Sequence, residues 1–394
     1  MHPDDDAGAP VIRSDEHGSF ARSVLAERHP ALIQKVRDAF PYEPEQHRAL
    51  DALLENAMHG VIEPLPPGAH DASQWQDWGR EYFGTSWFDA PFLWAESYFY
   101  RRLLEAVGYF PPGPWQGVDP FRPFKQAELR TEEADAELAA LDRLAPLPAA
   151  DQAQALLLSS LWGNRADLGF RISAGGEGVA DVDSRIVADD SALLWSLLTA
   201  GAAATVCLVA DNAGRELLPD LVLIDHLLRH RLAERVVLHV KPYPYYVSDA
   251  TTSDVIDCLR RLRKANGAAA SQTGERLWSA MNTGQLIIRA HAFSCAPLPY
   301  ADMPDDLRAD FAGAALTVFK GDLNYRRLVG DRLWPPTTPF AERTAYFPGP
   351  VAALRTLKSD VVVGLDAATE EALVARHEQK WRTSGTHALI QVRP

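Results

Sequence analysis

A short polar turn follows a run of apolar and β-branched residues in the second half of the chain. Residues 205–210, TVCLVA, predict a buried β-strand, and Asp211 and Asn212 follow it directly. An amphipathic segment begins a few residues later, with Pro219 in its first turn, where the missing N–H costs nothing. Asp211 and Asn212 are therefore predicted to lie in a strand-to-helix turn, and their oxygens are of the type that binds a hard divalent cation.

Polar residues also follow or flank the other predicted strands. These strands are 235–240, followed by Lys241 and Asp249; 285–290, followed by His291; 314–319, followed by Lys320 and Asp322; and 359–364, preceded by Arg355 and Lys358. Ligands of parallel sheets bind beyond the carboxyl ends of the strands, because loops and helix N-termini converge there. We therefore expect these polar residues to share one edge of a sheet.

This set of side chains suits a metal ion and a phosphate group. Asp211, Asn212 and Asp249 are oxygen donors, which suit Mg²⁺ or Mn²⁺ better than Zn²⁺. Positive charge comes from Lys241, Lys320, Arg326, Arg355 and Lys358. The turn 322–326 would present N–H groups to a phosphate at a helix start. Taken singly, each of the three oxygen donors is better explained as shaping a turn or capping a helix, and their shared location is what favours a site.

The elements that must position these residues differ between the two halves of the chain. From Ser19 to about Leu144 the apolar residues recur at helical spacing, whereas beyond Pro148 short β-branched runs alternate with amphipathic segments. The alternation predicts an α/β fold with a parallel sheet covered by helices. We expect a disordered tail at 1–17, a helical domain at 18–150 and an α/β domain at 151–394.

The composition excludes several classes of partner. The net charge of -14 opposes binding to a nucleic acid, because a polyanion would meet a repulsive field. Three scattered cysteines make a disulfide framework improbable on spacing grounds and favour a reducing compartment. No leader pattern begins the chain and no apolar run is long enough to span a bilayer, so we expect a cytoplasmic protein with no membrane partner.

Other motifs carry less weight. His226 and His230 are four residues apart but lack the glutamate of a zinc protease motif. The acid pair Asp181 and Asp183 imitates an aspartyl-phosphate phosphatase, but short pairs of this kind arise readily by chance. The glycine-rich stretch 173–178 has neither dinucleotide-loop nor phosphate-loop spacing, and no G-x-S-x-G occurs. These patterns weaken nucleotide-cofactor and serine-hydrolase interpretations.

Four ordered motifs resemble those of a known family. They are VADNAGREL (209–217), VKPYPYYVSD (240–249), FKGDLNYRRLVGD (319–331) and LRTLK (354–358). Together they resemble the damage-control phosphatase family, once catalogued as a domain of unknown function, and within it the subfamily marked by an Arg-Thr-x-Lys motif. Further similar segments are 18-GSFA-21, 96-ESYFYRR-102, 119-DPFRPFK-125 and 161-LWGNRADL-168.

The resemblance implies a fold and a chemistry. The fold would be a helical N-terminal domain packed on an α/β/α sandwich with a mainly parallel, Rossmann-like sheet. The activity would be that of a metal-dependent phosphatase acting on small phosphorylated metabolites, notably sugar phosphates, with Mn, Mg, Co or Ni as the metal. Metal ligands would fall on Asp211, Asn212 and Asp249. Phosphate and sugar contacts would fall on 322–326, which includes Asp322, Asn324, Tyr325 and Arg326, and on Lys358.

Some positions depart from the family pattern. Arg215 stands where an aromatic residue is expected, Tyr245 and Tyr246 stand for a Trp-Phe pair, and Ser97 stands for a cysteine. The expected metal and phosphate groups are intact. The departures therefore bear on the leaving group that is attached to the phosphate, more than on the reaction.

A mechanism follows as a hypothesis. Asp211, Asn212 and Asp249 would hold one divalent metal, while Lys320, Arg326 and Lys358 neutralise the remaining phosphate charge. Glu216 is a candidate base or orienting group, and Glu96 and Asn324 are candidates for gripping substrate hydroxyls. The sequence leaves open whether water or an aspartate attacks the phosphorus.

Two alternatives to the phosphatase differ from it in class. One is methyl transfer from S-adenosylmethionine to protein carboxylates, although the loop after the first strand, ADNAG, lacks the glycines of a cofactor loop. The other is a non-hydrolytic pathway protein on the same fold. The sequence does not determine the physiological substrate or the oligomeric state.

Overall fold

The structure is a computed structural model that describes residues 8–163, 185–200 and 204–394. Its strands are β1 (Ile186–Asp189), β2 (Thr205–Val209), β3 (Arg235–Val240), β4 (Leu286–Ala290), β5 (Leu316–Lys320), β6 (Val351–Thr356) and β7 (Ala388–Arg393). The first eight helices are α1 (Phe20–Ser23), α2 (His29–Ala39), α3 (Pro44–His59), α4 (Ala72–Gly79), α5 (Phe92–Ala106), α6 (Arg122–Glu128), α7 (Glu132–Leu144) and α8 (Ala149–Trp162). The others are α9 (Ser191–Ala200), α10 (Leu217–Arg229), α11 (Thr252–Arg263), α12 (Ala268–Thr283), α13 (Asp305–Ala312), α14 (Asp322–Val329), α15 (Phe340–Arg343) and α16 (Ala367–His377).

The strands form one sheet in the order β1-β7-β6-β5-β2-β3-β4. Neighbouring strands are parallel except β6 and β7, which are antiparallel. The predicted α/β class with a mainly parallel sheet is therefore confirmed. The chain runs outward from β2 through β3 to β4 and then returns to the other side of β2 as β5, so the switch point of the sheet lies between β2 and β5.

The central strand β2 is buried on both faces. Val206 and Leu208 belong to one apolar cluster, which also contains residues of α8, α10, α11 and α12. Cys207 and Val209 belong to a second cluster on the opposite face. Alternate side chains of a strand point to opposite faces, so a strand covered on both sides needs a continuous apolar run. This requirement explains the sequence TVCLV.

The first half of the described chain is helical, as its periodicity predicts. Helices α1 to α7 all lie between Phe20 and Leu144, in the range where apolar residues recur at helical spacing. Trp75 of α4, Trp94 and Tyr98 of α5, and Trp87 form a buried aromatic cluster in this helical half. The division at residue 150 stays a prediction, and we note that α7 and α8 contribute to the same apolar cluster as the sheet.

One predicted strand is wrong, and three strands, β1, β6 and β7, were not predicted. Residues 359–364, SDVVVG, form a largely buried loop. The strand in this part of the chain is β6, which ends at Thr356 and so contains the first two residues of the Arg-Thr-Leu-Lys motif. In that loop, hydrogen bonds from side chains take the place of backbone bonds between strands, since Gln391 Nε2 donates to the Val363 carbonyl at 2.6 Å. The alanines of β6 give a weak strand signal. Strands β1 and β7 at one side of the sheet were also missed.

The chain is ordered earlier than the composition suggests. Ala9, Ile12 and Ser14 are buried, and Val11 and Arg13 form bridges to Arg332 and Pro91. The expected disordered tail at 1–17 is therefore wrong for these residues, because apolar contacts outweigh the local preference for a frayed end.

Some predictions concern residues outside the described ranges. They are the glycine-rich stretch 173–178, the pair Asp181 and Asp183, and most of the segment 161–168. In the portion of the chain that the structure describes, no helix combines the length and the apolar character needed to cross a bilayer.

Candidate active site

The residue after β2 meets the residue after β5 at the switch point of the sheet. The Asp211 carboxyl group packs on the Gly321 backbone so closely that a Cβ at Gly321 would lie 1.9 Å from Asp211 Cγ. Gly321 also has φ of +83°, which L residues rarely adopt. Both facts require glycine at this position. The backbone between β5 and α14 can then approach Asp211 directly.

The polar residues at the ends of β2 and β3, which we call the acidic side, are Asp211, Asn212, Glu216 and Asp249. Asn212 Nδ2 donates to Glu216 Oε2 at 3.0 Å and lies 3.3 Å from Asp211 Oδ2. Ser248 Oγ donates to Asn212 Oδ1 at 2.7 Å, and Asn212 and Asp249 form a backbone bridge. The structure therefore brings the three predicted metal ligands together on adjacent strand ends.

Asp249 is fixed by lysines as well as by this bridge. It is 3% exposed, and its Oδ2 lies 3.3 Å from Lys241 Nζ. The interpretation of Asp249 as the cap of the next helix is wrong, since Thr251 and Asp254 form the capping box of α11. Helix capping therefore does not explain why the carboxylate of Asp249 is buried.

Negative charge accumulates on the acidic side. Burial raises the pKa of Asp211 well above its ordinary value, and Glu216 and Asp249 raise it further. Burial also raises the pKa of Asp249 to about 6, although Lys241 and Lys125 oppose this shift. Lys358 and Lys320 offset the charge near Asp211 only in part. The carboxylates of Asp211, Glu216 and Asp249 are therefore held close together, and the nearby lysines neutralise their charge only in part.

The donor set fits a hard divalent cation. Two carboxylates and one amide oxygen supply the ligand type that Mg²⁺ and Mn²⁺ prefer, and a cation would relieve the repulsion between Asp211, Asp249 and Glu216. Within the described ranges, no group of three or more His, Cys, Asp or Glu side chains is arranged to hold a metal ion. The predicted set contains only two such residues and relies on Asn212 for its third ligand.

Asp322, Arg355 and Ser359, which follow or end strands β5 and β6, contact one another, and together with Arg326 of α14 we call them the arginine side. Arg355 Nε donates to Asp322 Oδ1 at 2.8 Å, and the Lys358 N–H and Ser359 Oγ donate to the same oxygen at 3.2 and 3.1 Å. Burial alone would raise the pKa of Asp322, but Arg355 and Arg326 hold it below its ordinary value. Asp322 thus holds the turn 355–359 against the start of α14.

Arg326 links α14 to the helical half. It donates to Asp331 through two nitrogens at 2.7 and 3.0 Å, and Arg326 Nη1 donates to Glu96 Oε2 at 3.2 Å. Burial raises the pKa of Glu96 to about 7 in spite of Arg326, since Asp331 shares the charge of that arginine. Tyr246 hydrogen-bonds to Glu96 and approaches Ser97 Oγ at 3.2 Å. The predicted contacts Glu96 and Arg326 therefore meet each other.

Lys320 is held by groups that the sequence did not single out. Its ammonium group donates to the Ser160 carbonyl, to Ser160 Oγ at 2.8 Å, and to Asp220 Oδ1 at 3.0 Å. Ser160 lies on α8 and Asp220 in the first turn of α10, and both are 2% exposed. The three N–H donors of Lys320 thus all have protein acceptors. Its charge reaches Asp211 through space.

Two predicted substrate contacts point into the protein. Asn324 is fully buried, and its Nδ2 donates to the carbonyls of Ala210 and Lys320 at 2.9 and 2.8 Å. Tyr325 is also fully buried, and its hydroxyl donates to Gln391 Oε1 at 2.9 Å. The prediction that these side chains contact substrate has no support in this arrangement. Asn324 joins the end of β2 to the end of β5.

Lys358 is the most accessible of the predicted cationic groups. Its side chain is 42% exposed, and its Nζ lies 4.0 Å from Glu216 Oε1. It lowers the pKa of Asp211. The Arg-Thr-x-Lys motif therefore directs Arg355 into the fold and Lys358 toward the acidic side.

Sequence reasoning missed the residues that support the site. They are Lys125, Ser160, Asp220, Ser248 and Asp331. Lys125, Ser248 and Asp331 lie in segments that resemble the family, and this resemblance was the available signal. Ser160 and Asp220 are marked by no local pattern, because both act on Lys320, which is distant in sequence.

A cavity of about 980 Å³ lies elsewhere, beside β1. It is lined by residues of β1, α16 and the segment 380–387, and it contains none of the predicted site residues.

The chain is similar to known proteins over nearly its whole length. A domain profile described as the damage-control phosphatase ARMT1-like domain matches residues 24–374. Proteins named damage-control phosphatase ARMT1 from Homo sapiens and Danio rerio are 33% and 32% identical to it. These alignments cover 96% and 95% of this chain, and 97% and 94% of the two relatives. The matched range contains the proposed metal and phosphate residues.

A solved structure shows a weaker likeness. It is the crystal structure of a DUF89 family protein from Pyrococcus horikoshii, with 16% sequence identity and a TM-score of 0.48. The match covers 89% of this chain and 93% of that one. A likeness at this level does not support a conclusion about the site.

Proposed function

This chain belongs to the ARMT1-like damage-control phosphatase family, and on that premise we propose that it is a metal-dependent phosphatase of small metabolites, with sugar phosphates as the preferred substrates. The observation that carries the proposal is the acidic side. Asp211, Asn212 and Asp249 lie together at the switch point of a parallel sheet, where ligands of such folds bind.

We assign the metal to Asp211, Asn212 and Asp249. A divalent cation bound there would polarise the phosphoryl group and stabilise the charge that develops in the transition state. The residues themselves support this assignment, since Ser248 orients the amide of Asn212 and Lys241 orients the carboxylate of Asp249. Mn²⁺, Mg²⁺, Co²⁺ and Ni²⁺ remain the candidates.

Other residues of the site act on the substrate. Lys358 is accessible and close to the acidic side, so we assign it to a phosphate oxygen. The first turn of α14 begins beside Asp211, and its N–H groups are suited to a second oxygen. Lys320 adds positive charge without contacting the substrate directly. Glu96 and Arg326 supply polar groups for hydrogen bonds to substrate hydroxyls.

The test is phosphate release by metal-stripped protein. A panel of sugar phosphates and phosphorylated cofactors is assayed with each of the four divalent metals added back separately, and the Asp249→Asn variant serves as control. We expect release that depends on the metal, is highest for sugar phosphates and falls at least about 100-fold in the variant. Release that is equal without metal, or equal in a folded variant, would contradict the assignment. Calorimetric binding of S-adenosylmethionine without phosphate release would favour methyl transfer.

A further inference from the structure

Lys125 of α6 is a buried lysine with three acceptors. Its Nζ donates to the Asp249 carbonyl at 3.0 Å, to Asp254 Oδ2 at 3.0 Å and to Asp119 Oδ2 at 3.1 Å. The residue is 4% exposed. An ammonium group has three N–H donors, so this geometry satisfies all of them. The contact with Asp249 joins residues that are 124 positions apart in the chain.

The same contacts fix the backbone on both sides of Asp249. Asp254 Oδ2 also accepts a hydrogen bond from the Thr251 N–H at 2.8 Å, which belongs to the capping box of α11, and another from Thr251 Oγ1 at 2.7 Å. Upstream, Tyr246 and Val247 have φ of 46° and 63°, a conformation that costs energy for such residues. Lys125 therefore holds the end of a strained loop to the start of a capped helix.

Two lysines divide the control of Asp249. Lys241, at the end of β3, contacts the carboxylate, whereas Lys125 contacts the carbonyl of the same residue. A carboxylate can bind a cation at a defined place only if its Cα is also fixed. The Lys241 ammonium group makes its other hydrogen bond to the Ser294 carbonyl at 3.0 Å, and the Lys241 N–H bonds the carbonyl of Ala250, so neither contacts the carbonyl of Asp249 itself.

We propose that Lys125 is a positioning residue that sets the backbone of Asp249 for metal binding, so that the helical half of the chain takes part in building the metal site. The inference rests on the proposed function, because it assumes that Asp249 is a metal ligand. Groups that orient metal ligands typically change metal affinity 10- to 100-fold when they are removed.

The test is the affinity of the metal-stripped full chain for Mn²⁺, measured from free Mn²⁺ by electron paramagnetic resonance. We expect Lys125→Met to raise the Kd about tenfold or more while circular dichroism stays native. Asp119→Ala is the matched control, because it removes one acceptor of Lys125 and leaves the Asp249 carbonyl in place. We expect the Kd of this control for Mn²⁺ to rise less than about threefold, while its loss of thermal stability is similar to that of Lys125→Met.

A variant that keeps the charge extends the test. Lys125→Arg is expected to fold, but the planar guanidinium cannot direct three donors to three converging acceptors, so its Kd should also rise. Wild-type Kd values in folded Lys125→Met and in Lys125→Arg would overturn the positioning role. If Lys125→Met does not fold, Lys125→Arg decides. Wild-type protein that takes up no Mn²⁺ would overturn the metal site itself, together with this inference.

Discussion

The acidic side and the arginine side carry acids at the same edge of one sheet, but the surroundings of those acids are opposite. Asp211 is half-buried beside Glu216 and Asp249, which raise its pKa together with burial. Burial raises the pKa of Asp249 as well, although Lys241 and Lys125 lower it. Asp322 is half-buried beside Arg355 and Arg326, and its pKa is lowered. An acid with its own arginine holds the fold together, whereas acids that repel one another are arranged to receive a cation. Residue type and strand-end position alone do not separate these roles.

The largest difference should appear when one acid from each side is replaced by its amide. Asp211→Asn should reduce metal-dependent phosphate release at least about 100-fold, because it removes a charged ligand. Its unfolding free energy in urea should fall by no more than about 0.5 kcal/mol, since repulsion with Glu216 and Asp249 is relieved.

Asp322→Asn should instead lower the unfolding free energy by about 3 kcal/mol, because Arg355 is fully buried and loses its ion pair. Urea unfolding of both variants, monitored by fluorescence, makes the comparison. Equal stability losses for the two variants would show that the two sides do not differ in this way.

Lys320 lies between the acidic side and the arginine side, and its replacement tests whether it supports the fold or the acidic side. If its contacts with Asp220 and Ser160 are structural, Lys320→Met should cost about 3 kcal/mol, because Asp220 keeps a buried charge without its cation. The double variant Lys320→Met, Asp220→Leu should recover at least half of that loss in the same urea experiment. A fully stable Lys320→Met protein would place this lysine with the acidic side.

Glu96 is paired with an arginine but behaves like an acid of the acidic side. Its pKa is raised from 4.5 to about 7 by burial, so its ionisation costs stability as pH rises through that interval. Glu96→Gln removes the cost. The variant should therefore gain roughly 3 kcal/mol relative to wild type between pH 4.5 and 7.5 and no more above that range. A difference that is independent of pH in urea unfolding would contradict the raised pKa.

Lys358 should give the smallest effect, and on binding only. Lys358→Met should raise KM for the preferred substrate about tenfold, because one phosphate contact is lost. Its side chain is half-exposed, so thermal stability should change little. Lys380→Met, at an 85% exposed side chain, is the matched control and should leave KM unchanged. Equal KM values in the two variants would remove Lys358 from the site.

Much of the fold and part of the site could be predicted from the sequence. Strands β2 to β5 were placed within about two residues, since a strand buried on both faces needs a continuous apolar run. The clustering of Asp211, Asn212 and Asp249 followed from the rule that strand ends in a parallel sheet converge. The strand at 359–364 failed, because three valines indicate burial but do not distinguish a strand from a buried loop.

The sequence by itself determined strands β2 to β5, the turn after β2 and the residue types at the sheet edge, because each depends on neighbours a few positions away. Only the tertiary structure decided which cation each acid meets. Lys125 reaches Asp249 across 124 positions, and Lys320 reaches Ser160 across 160. No local pattern encodes such pairs. Whether an acid supports the fold or awaits a cation depends on these distant partners, since burial makes each unpaired charge costly.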